Sequence, residues 1–292
     1  MKLGLHYWNF STPPEVTSIA GTLADTARVA EEAGFSAFSV MDHFFQMEHA
    51  GSAAEPMLES YTTLGHVAAL TERMALRVLV TGVMYRHPGL LAKTVTTLDV
   101  LSGGRAWLGI GAGHEADEAA ATGLPFPPAA ERFERLEETL QIAHRMWAGD
   151  ETPFQGRHYR LGRPQDSPGP VGHARPPILI GGAGERKTLR LVARYADACN
   201  LFDIPDGGAT VRRKLEVLAR HCEEVGRPYE AIEKTLSTRL EVGEPTEAFV
   251  RRSEAAAELG IEHMVVIASH PWTTEALSTL AAAVPALREV RP

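Results

Sequence analysis

Short aliphatic and β-branched runs alternate along the whole chain with segments whose apolar positions recur every three or four residues. This rhythm predicts parallel strands joined by helical crossovers, because adjacent parallel strands need a long connection between them. Residues 3–6 read as a first strand, and 15–33 as a helix presenting Ile19, Leu23, Ala27 and Ala30 on one side. Gly34 supplies its stop. Residues 37–41 predict a second strand, 61–71 a second helix and 76–83 a third strand. Pro88 suits the first turn of a helix reaching residue 101, where its missing N–H would be unpaired in any case. Residues 105–110 make the fourth strand, cut off by Gly111-Ala112-Gly113.

Beyond that turn the pattern loosens. Phe133, Leu136, Leu140 and Ala143 mark a helix over 130–147, but Pro, Gly, Arg and His dominate residues 149–177. A connection of this length inside a compact domain is expected to be a lid or binding segment rather than a spacer. The main insertion is therefore placed at about 114–177. Regularity returns with strands at 178–180, 198–202, 236–241 and 263–268, each followed by a helix, at 185–195, 210–225, 246–259 and 273–287. Eight strand–helix pairs predict an α/β fold, a (β/α)8 TIM barrel forming one domain over residues 1–292 with the insertion between strands four and five.

With 44% hydrophobic and 23% charged residues the chain can bury such a core. A net charge of −8 removes any general electrostatic attraction to nucleic acid or anionic membrane, so the expected partner is a small molecule or a second subunit. Cys199 and Cys222 are the only cysteines, which suggests no disulfide framework and an intracellular, reducing setting. The first residues lack a signal-peptide apolar region, and no later run approaches the roughly 20 apolar residues of a membrane span. A cytoplasmic protein is expected.

In a barrel of this kind the residues just after each strand share one face, and that face carries the chemistry. Asp42-His43 follows the second strand and pairs a carboxylate with an imidazole, whose ordinary pKa lies near neutrality. The structural alternative is a helix-capping acid beside a half-buried histidine. Gly181-Gly182-Ala183-Gly184 follows the fifth strand, where backbone N–H groups before a helix favour phosphate, with Lys187 and Arg190 behind them. A tight turn alone also needs glycine. His6, Tyr85, Arg86, His87, His114, Glu115, Asn200, Asp203, Arg239, Glu241, Ser269 and His270 join the list of strand-end residues. Leu101-Ser102-Gly103-Gly104-Arg105 falls on the opposite face and reads as structural, and the acidic run 134–138 as a solvated helix face.

The chain resembles the luciferase-like flavin and deazaflavin oxidoreductases, and the likeness runs through nearly all of it. Ala33-Gly34-Phe35, Asp42-His43, Tyr61-Thr62-Thr63-Leu64, Tyr85-Arg86-His87-Pro88, Leu98-Asp99-Val100-Leu101-Ser102-Gly103-Gly104-Arg105, Leu108-Gly109-Ile110-Gly111-Ala112-Gly113, Gly123-Leu124-Pro125-Phe126-Pro127 and Ile180-Gly181-Gly182 carry it in order. The branch it is most similar to depends on the deazaflavin coenzyme F420. The resemblance implies hydride transfer between the deazaflavin C5 and a small organic substrate, with FMN and a monooxygenase reaction as the alternative. By the same resemblance Asp42 would bind the cofactor, His43 would act at the reacting ring, and a non-prolyl cis peptide would fall near Leu79-Val80, with Thr81 close by. Gly111 and Gly113 would border the ring, and Gly181, Gly182 and Ala183 would meet the phosphate. In the sugar-phosphate dehydrogenase branch an acid directly follows the Gly-x-Gly turn after strand four. Here His114 stands in that place and Glu115 follows, so these two join His43 as the candidate catalytic set.

Arg157, His158, Arg160 and Arg163 offer a basic surface for the acidic tail of F420, or are simply a basic loop. Trp8, Phe44, Phe45 and Met47 suggest a partly hydrophobic substrate, or core packing. The family resemblance also implies a homodimer built on the early helices. A metal-dependent barrel hydrolase using His6, His43, His87, His114 and His270 is the third reading, although no close histidine pair anchors it.

Overall fold

A computed structural model of the chain describes residues 1–11, 15–47, 52–268 and 271–291. The first half carries β1 (Lys2–Tyr7), α1 (Ile19–Ala33), β2 (Ala37–Val40), α2 (Ser60–Ala68), β3 (Ala75–Val78), β4 (Thr81–Gly82), α3 (Pro88–Leu101) and β5 (Ala106–Gly111). Next come α4 (Ala116–Thr122), α5 (Ala129–Trp147) and an antiparallel pair, β6 (Phe154–Gln155) and β7 (Arg160–Leu161). The second half carries β8 (Ile178–Gly181), α6 (Thr188–Tyr195), β9 (Ala198–Phe202), α7 (Ala209–Val225), β10 (Glu233–Leu240), α8 (Thr246–Glu258), β11 (His263–Ala268) and α9 (Thr274–Glu289).

Parallel neighbours run β3, β2, β1, β11, β10, β9, β8, β5, and pairing of β3 with β5 closes the ring as a TIM barrel. Strands in such a barrel are covered on both faces, and all four residues of β2 are accordingly buried. Helix α1 buries the predicted stripe of Ile19, Leu23, Ala27 and Ala30. It ends at Gly34, whose φ of 90° only glycine adopts cheaply. Among the described residues no helix is long and apolar enough to cross a membrane.

The third barrel strand departs from the continuous run 76–83 expected from its aliphatic composition. It is broken into β3 and β4 by a cis peptide between Leu79 and Val80. From Leu76↔Ala106 to Thr81↔Ile110 this strand advances five residues while β5 advances four, which defines a bulge. Gly109 admits it, because a Cβ there would overlap the Val78 carbonyl oxygen. The family resemblance implies a bulge with its cis peptide at this place, and the structure has both; the hydrophobic period along the segment does not reveal them, because part of the bulge is encoded on a neighbouring strand.

The N-terminal end of the barrel is held by two clamps. Arg105 donates to the carbonyls of Ser102, Ala68, Thr71 and Met74 and to the Thr71 hydroxyl, confirming a structural role for the Ser102-Gly103-Gly104-Arg105 turn. Glu31 accepts from the backbone N–H groups of Glu72, Arg73 and Met74.

Residues 149–177 do not cover the mouth as a lid would; none of them lines the cleft there. Asp99 Oδ2 accepts from Val171 N at 2.8 Å, and Asp166 accepts from Thr96 Oγ1 at 2.6 Å and from Lys93 at 3.1 Å, strapping the segment to α3. The acidic run on α5 also corrects its expected solvated role. Glu138 accepts from the backbone N–H groups of Arg157, His158 and Tyr159 and so anchors the β6–β7 pair.

Candidate active site

The strands' C-terminal ends surround a cleft of about 1440 Å³. Leu79 and Val80, carried up by the bulge, lie in its lining with Gly111 on the adjacent strand β5 and Gly181 on β8 beyond it. A Cβ at Gly181 would stand 2.9 Å from Val80 Cγ1, and one at Gly111 would stand 3.1 Å from Val80 Cγ2. The strands beside Val80 are therefore bare because any side chain there would crowd it. Gly182, at φ 106°, turns the chain towards α6, which starts at Thr188 rather than at the expected residue 185.

Asp42 is buried at the end of β2 and fully engaged. Its carboxylate accepts from Ser60 Oγ at 2.6 Å and from both terminal nitrogens of Arg86, at 2.5 and 3.1 Å. Arg86 also pairs with Glu59, the N-cap residue of α2, and its guanidinium lies 4.6 Å from the centre of the Tyr61 ring. This bidentate arrangement locks the strand end and neutralises the buried charge.

His43 faces the cleft, and its Nδ1 lies 3.1 Å from Glu118 Oε2. The same oxygen accepts from the Tyr85 hydroxyl at 2.5 Å. The other oxygen accepts from Phe45 N at 3.1 Å and from Phe44 N. Burial alone would raise the Glu118 carboxyl, but these hydrogen bonds outweigh it and hold the group down at about 2. Burial and the bond to Glu118 push the Tyr85 phenol well above its ordinary range. The His114 ring meets His43 edge-on at 5.8 Å between centroids, and its Nε2 lies 3.0 Å from Glu115 Oε1. Deeper in, His6 Nδ1 lies 3.0 Å from Ser39 Oγ, and burial, with the Arg77 charge nearby, pushes the imidazole down to about 3.

The cleft brings together Asp42, His43, Leu79, Val80, Gly111, Gly113, His114, Gly181, Gly182 and Ala183. Thr81 lies behind the wall, its hydroxyl 2.8 Å from that of Tyr61. Glu115 is outside the lining, at the N-cap position of α4. His87 instead caps α3, accepting from Gly89 N at 3.3 Å. Ser269 and His270 lie outside the described residues. Lys187 and Arg190 contribute nothing to the lining.

Of Arg157, His158, Arg160 and Arg163 in the insertion, three are paired elsewhere, and Arg160 lies on β7, outside the cleft lining. Arg157 and His158 pair with Glu134, and Arg163 pairs with Glu151. The cations that do line the cleft are Arg212, Arg239 and Arg252. Trp8 and Met47 line it too, while Phe44 packs on Tyr85 at 5.1 Å. Among the described residues no group of three or more His, Cys, Asp or Glu is arranged to hold a metal ion.

Reading the sequence missed Glu118. It sits among Glu115 and Asp117, and only its place beside buried Ala119 on a short helix marks it as the inward acid.

A barrel broken at its third strand by a non-prolyl cis peptide, with an imidazole beside the break, has the architecture expected of the luciferase-like class. The family described as luciferase-like monooxygenase matches residues 1–279, and the chain belongs to it. Over 183 residues, 60% of the chain, it is 38% identical to a protein of Nakamurella multipartita named F420-dependent glucose-6-phosphate dehydrogenase. A protein of the same name from Microbacterium testaceum is 30% identical over 225 residues, 75% of the chain. The chain covers 50% and 63% of the lengths of these two relatives. An F420-dependent secondary alcohol dehydrogenase, solved with an F420–acetone adduct, superposes with a TM-score of 0.83 over 99% of both chains at 17% identity, a likeness of fold.

Proposed function

We propose that this protein is an F420-dependent oxidoreductase that moves a hydride between the deazaflavin C5 and a small organic substrate. The observation that carries the reading is the bare wall formed by Val80 and the side-chain-free Gly111 and Gly181 on the next two strands, with the His43 imidazole in the same cleft. A flat ring system needs such a surface, and a Cβ on either glycine would fill it. The names of the relatives favour F420 over FMN.

Leu79, Val80, Gly111 and Gly113 would hold the ring, Gly182 and Ala183 with Gly181 would hold the phosphate, and Asp42 would hold the strand end against them. When bound, F420 supplies a two-electron carrier that gives or takes a hydride. His43 takes the hydroxyl proton of an alcohol at Nε2 during oxidation, or returns it to a carbonyl oxygen during reduction. His114, exposed and paired with Glu115, passes that proton between His43 and solvent. Trp8 and Met47 cover the apolar part of the substrate.

Fluorescence-quenching titrations with F420 and FMN test the reading. Tight F420 binding is expected; tight FMN binding with no F420 binding would replace it with an FMN-dependent monooxygenase. The same proposal takes residues 1–292 as one barrel domain with 114–177 as its insertion, in a cytoplasmic homodimer. Exposed Val29 on α1 and Leu90 and Leu101 on α3 supply apolar surface for the dimer. Sedimentation at the 31.7 kDa of one chain would remove the dimer.

A further inference from the structure

We propose that Glu118 is the positioning residue of this site, holding His43 as the Nδ1–H tautomer so that Nε2 is the proton-exchanging atom. The inference rests on the reading of His43 as the proton carrier and gives that reading an atomic direction. Helix α4 carries two acids, Asp117 and Glu118, after its N-cap residue Glu115, and Glu118 is the one it buries. Its two oxygens face four donors: the backbone N–H groups of Phe44 and Phe45, the Tyr85 hydroxyl and His43 Nδ1. A carboxylate so surrounded has no room for a proton of its own, so the nitrogen facing it must donate.

The other ring nitrogen has no hydrogen-bond partner among the described residues, and the ring lines the cleft. An acceptor on Nδ1–H fixes the ring plane and the tautomer, as carboxylate partners of functional histidines do generally. Tyr85 holds Glu118 from the side away from the backbone donors, and Phe44 in turn packs on Tyr85 at 5.1 Å. Residues from β2's exit, β4's exit and α4 thus converge on one carboxylate. Were Glu118 only a clamp for the 44–45 backbone, the imidazole would be free to adopt either tautomer.

The test uses the full chain labelled with nitrogen-15 at histidine, in mildly alkaline solution, with the His43 signals assigned by their loss in His43→Ala. In the wild type Nδ1 is expected to carry the proton. In Glu118→Gln the amide oxygen still accepts from Phe44 and Phe45, but the amide nitrogen now donates towards Nδ1. The proton is therefore expected on Nε2, and Glu118→Asp is expected to return it to Nδ1. An Nε2–H tautomer in the wild type, or the same tautomer in wild type and Glu118→Gln, would overturn the proposal. If Glu118→Gln does not fold, the wild type and Glu118→Asp decide: Nδ1–H in both supports it and Nε2–H in either refutes it. F420 titration of the same samples separates the two claims. Failure of the wild type to bind F420 sinks the functional reading, whereas the tautomer result concerns Glu118 alone.

Discussion

Gly181→Ala probes the platform most directly. The residue pairs with Asn200 in the barrel and has no positive φ, so alanine suits its backbone and the whole effect comes from the added methyl. That methyl would stand 2.9 Å from Val80 Cγ1 and 3.0 Å from Cγ2, against the roughly 3.5 to 4.0 Å of unstrained carbon contacts. Both γ carbons of one valine stand within 3.0 Å of the new carbon, so Val80 must leave its present position to admit it. Overpacking of this kind costs about 1 to 3 kcal/mol. For a chain of this size it should lower the melting temperature by about 2 to 5 °C. F420 affinity should fall as well, since the displaced valine enters the space the ring needs. Val80→Ala removes both crowding atoms, so the double variant Gly181→Ala/Val80→Ala should recover much of the stability lost in Gly181→Ala, a favourable coupling of about 1 kcal/mol or more. Calorimetry and fluorescence titration on the four proteins read both quantities. A Gly181→Ala protein that melts and binds like the wild type, or a double variant with simply additive losses, would refute the reasoning.

Arg86→Met leaves the buried Asp42 carboxylate with only the Ser60 hydroxyl, so urea denaturation should show a loss of about 3 to 5 kcal/mol, partly restored by adding Asp42→Asn. Arg105→Met removes the clamp at the opposite end; with each bond contributing about 1 kcal/mol it should cost about 3 kcal/mol or more while leaving F420 affinity unchanged. Acid should weaken the fold in two overlapping steps. Burial, then the Arg77 charge, depresses His6 to about 3 and His263 to about 4 from 6.5, so below 6.5 the unfolded chain binds protons that the native one refuses and stability falls. Glu118, held at about 2 against 4.5, adds stability above 4.5 that is lost as the pH drops towards 2. The free energy of unfolding should decline between pH 6.5 and 4.5 by on the order of 5 kcal/mol from the two histidines, and a flat profile there would contradict their being buried and neutral.

The barrel was largely legible along the chain because its elements obey local periods. Helix α3, predicted over 88–101, occupies Pro88–Leu101, and strands β9 and β11 fall on the predicted residues. The glycines around the cleft were legible as turns, and the resemblance placed the cis peptide at Leu79-Val80, where it stands. Residues 149–177 looked like a lid because their composition lacks a period. Composition does not say which side such a segment packs on, and the bonds from Asp99, Thr96 and Lys93 tie it to α3. Arg157, His158 and Arg163 looked free for an anion because their counter-charges, Glu134 and Glu151, lie 12 to 24 positions away in sequence.

Sequence by itself determined the number and order of strand–helix units, the face on which strand-end residues meet, and the presence of an acid and an imidazole at the end of β2. Those follow from hydrophobic periodicity and chain direction, which are properties of neighbouring residues. Only the tertiary structure decided how that dipeptide divides its work. Asp42 is tied to Arg86 and Ser60, from 44 and 18 positions away, and His43 is oriented by Glu118 from 75 positions away. A hydrogen bond is set by distance and angle in space, and no period along the chain records which donor will meet which acceptor once the barrel has closed.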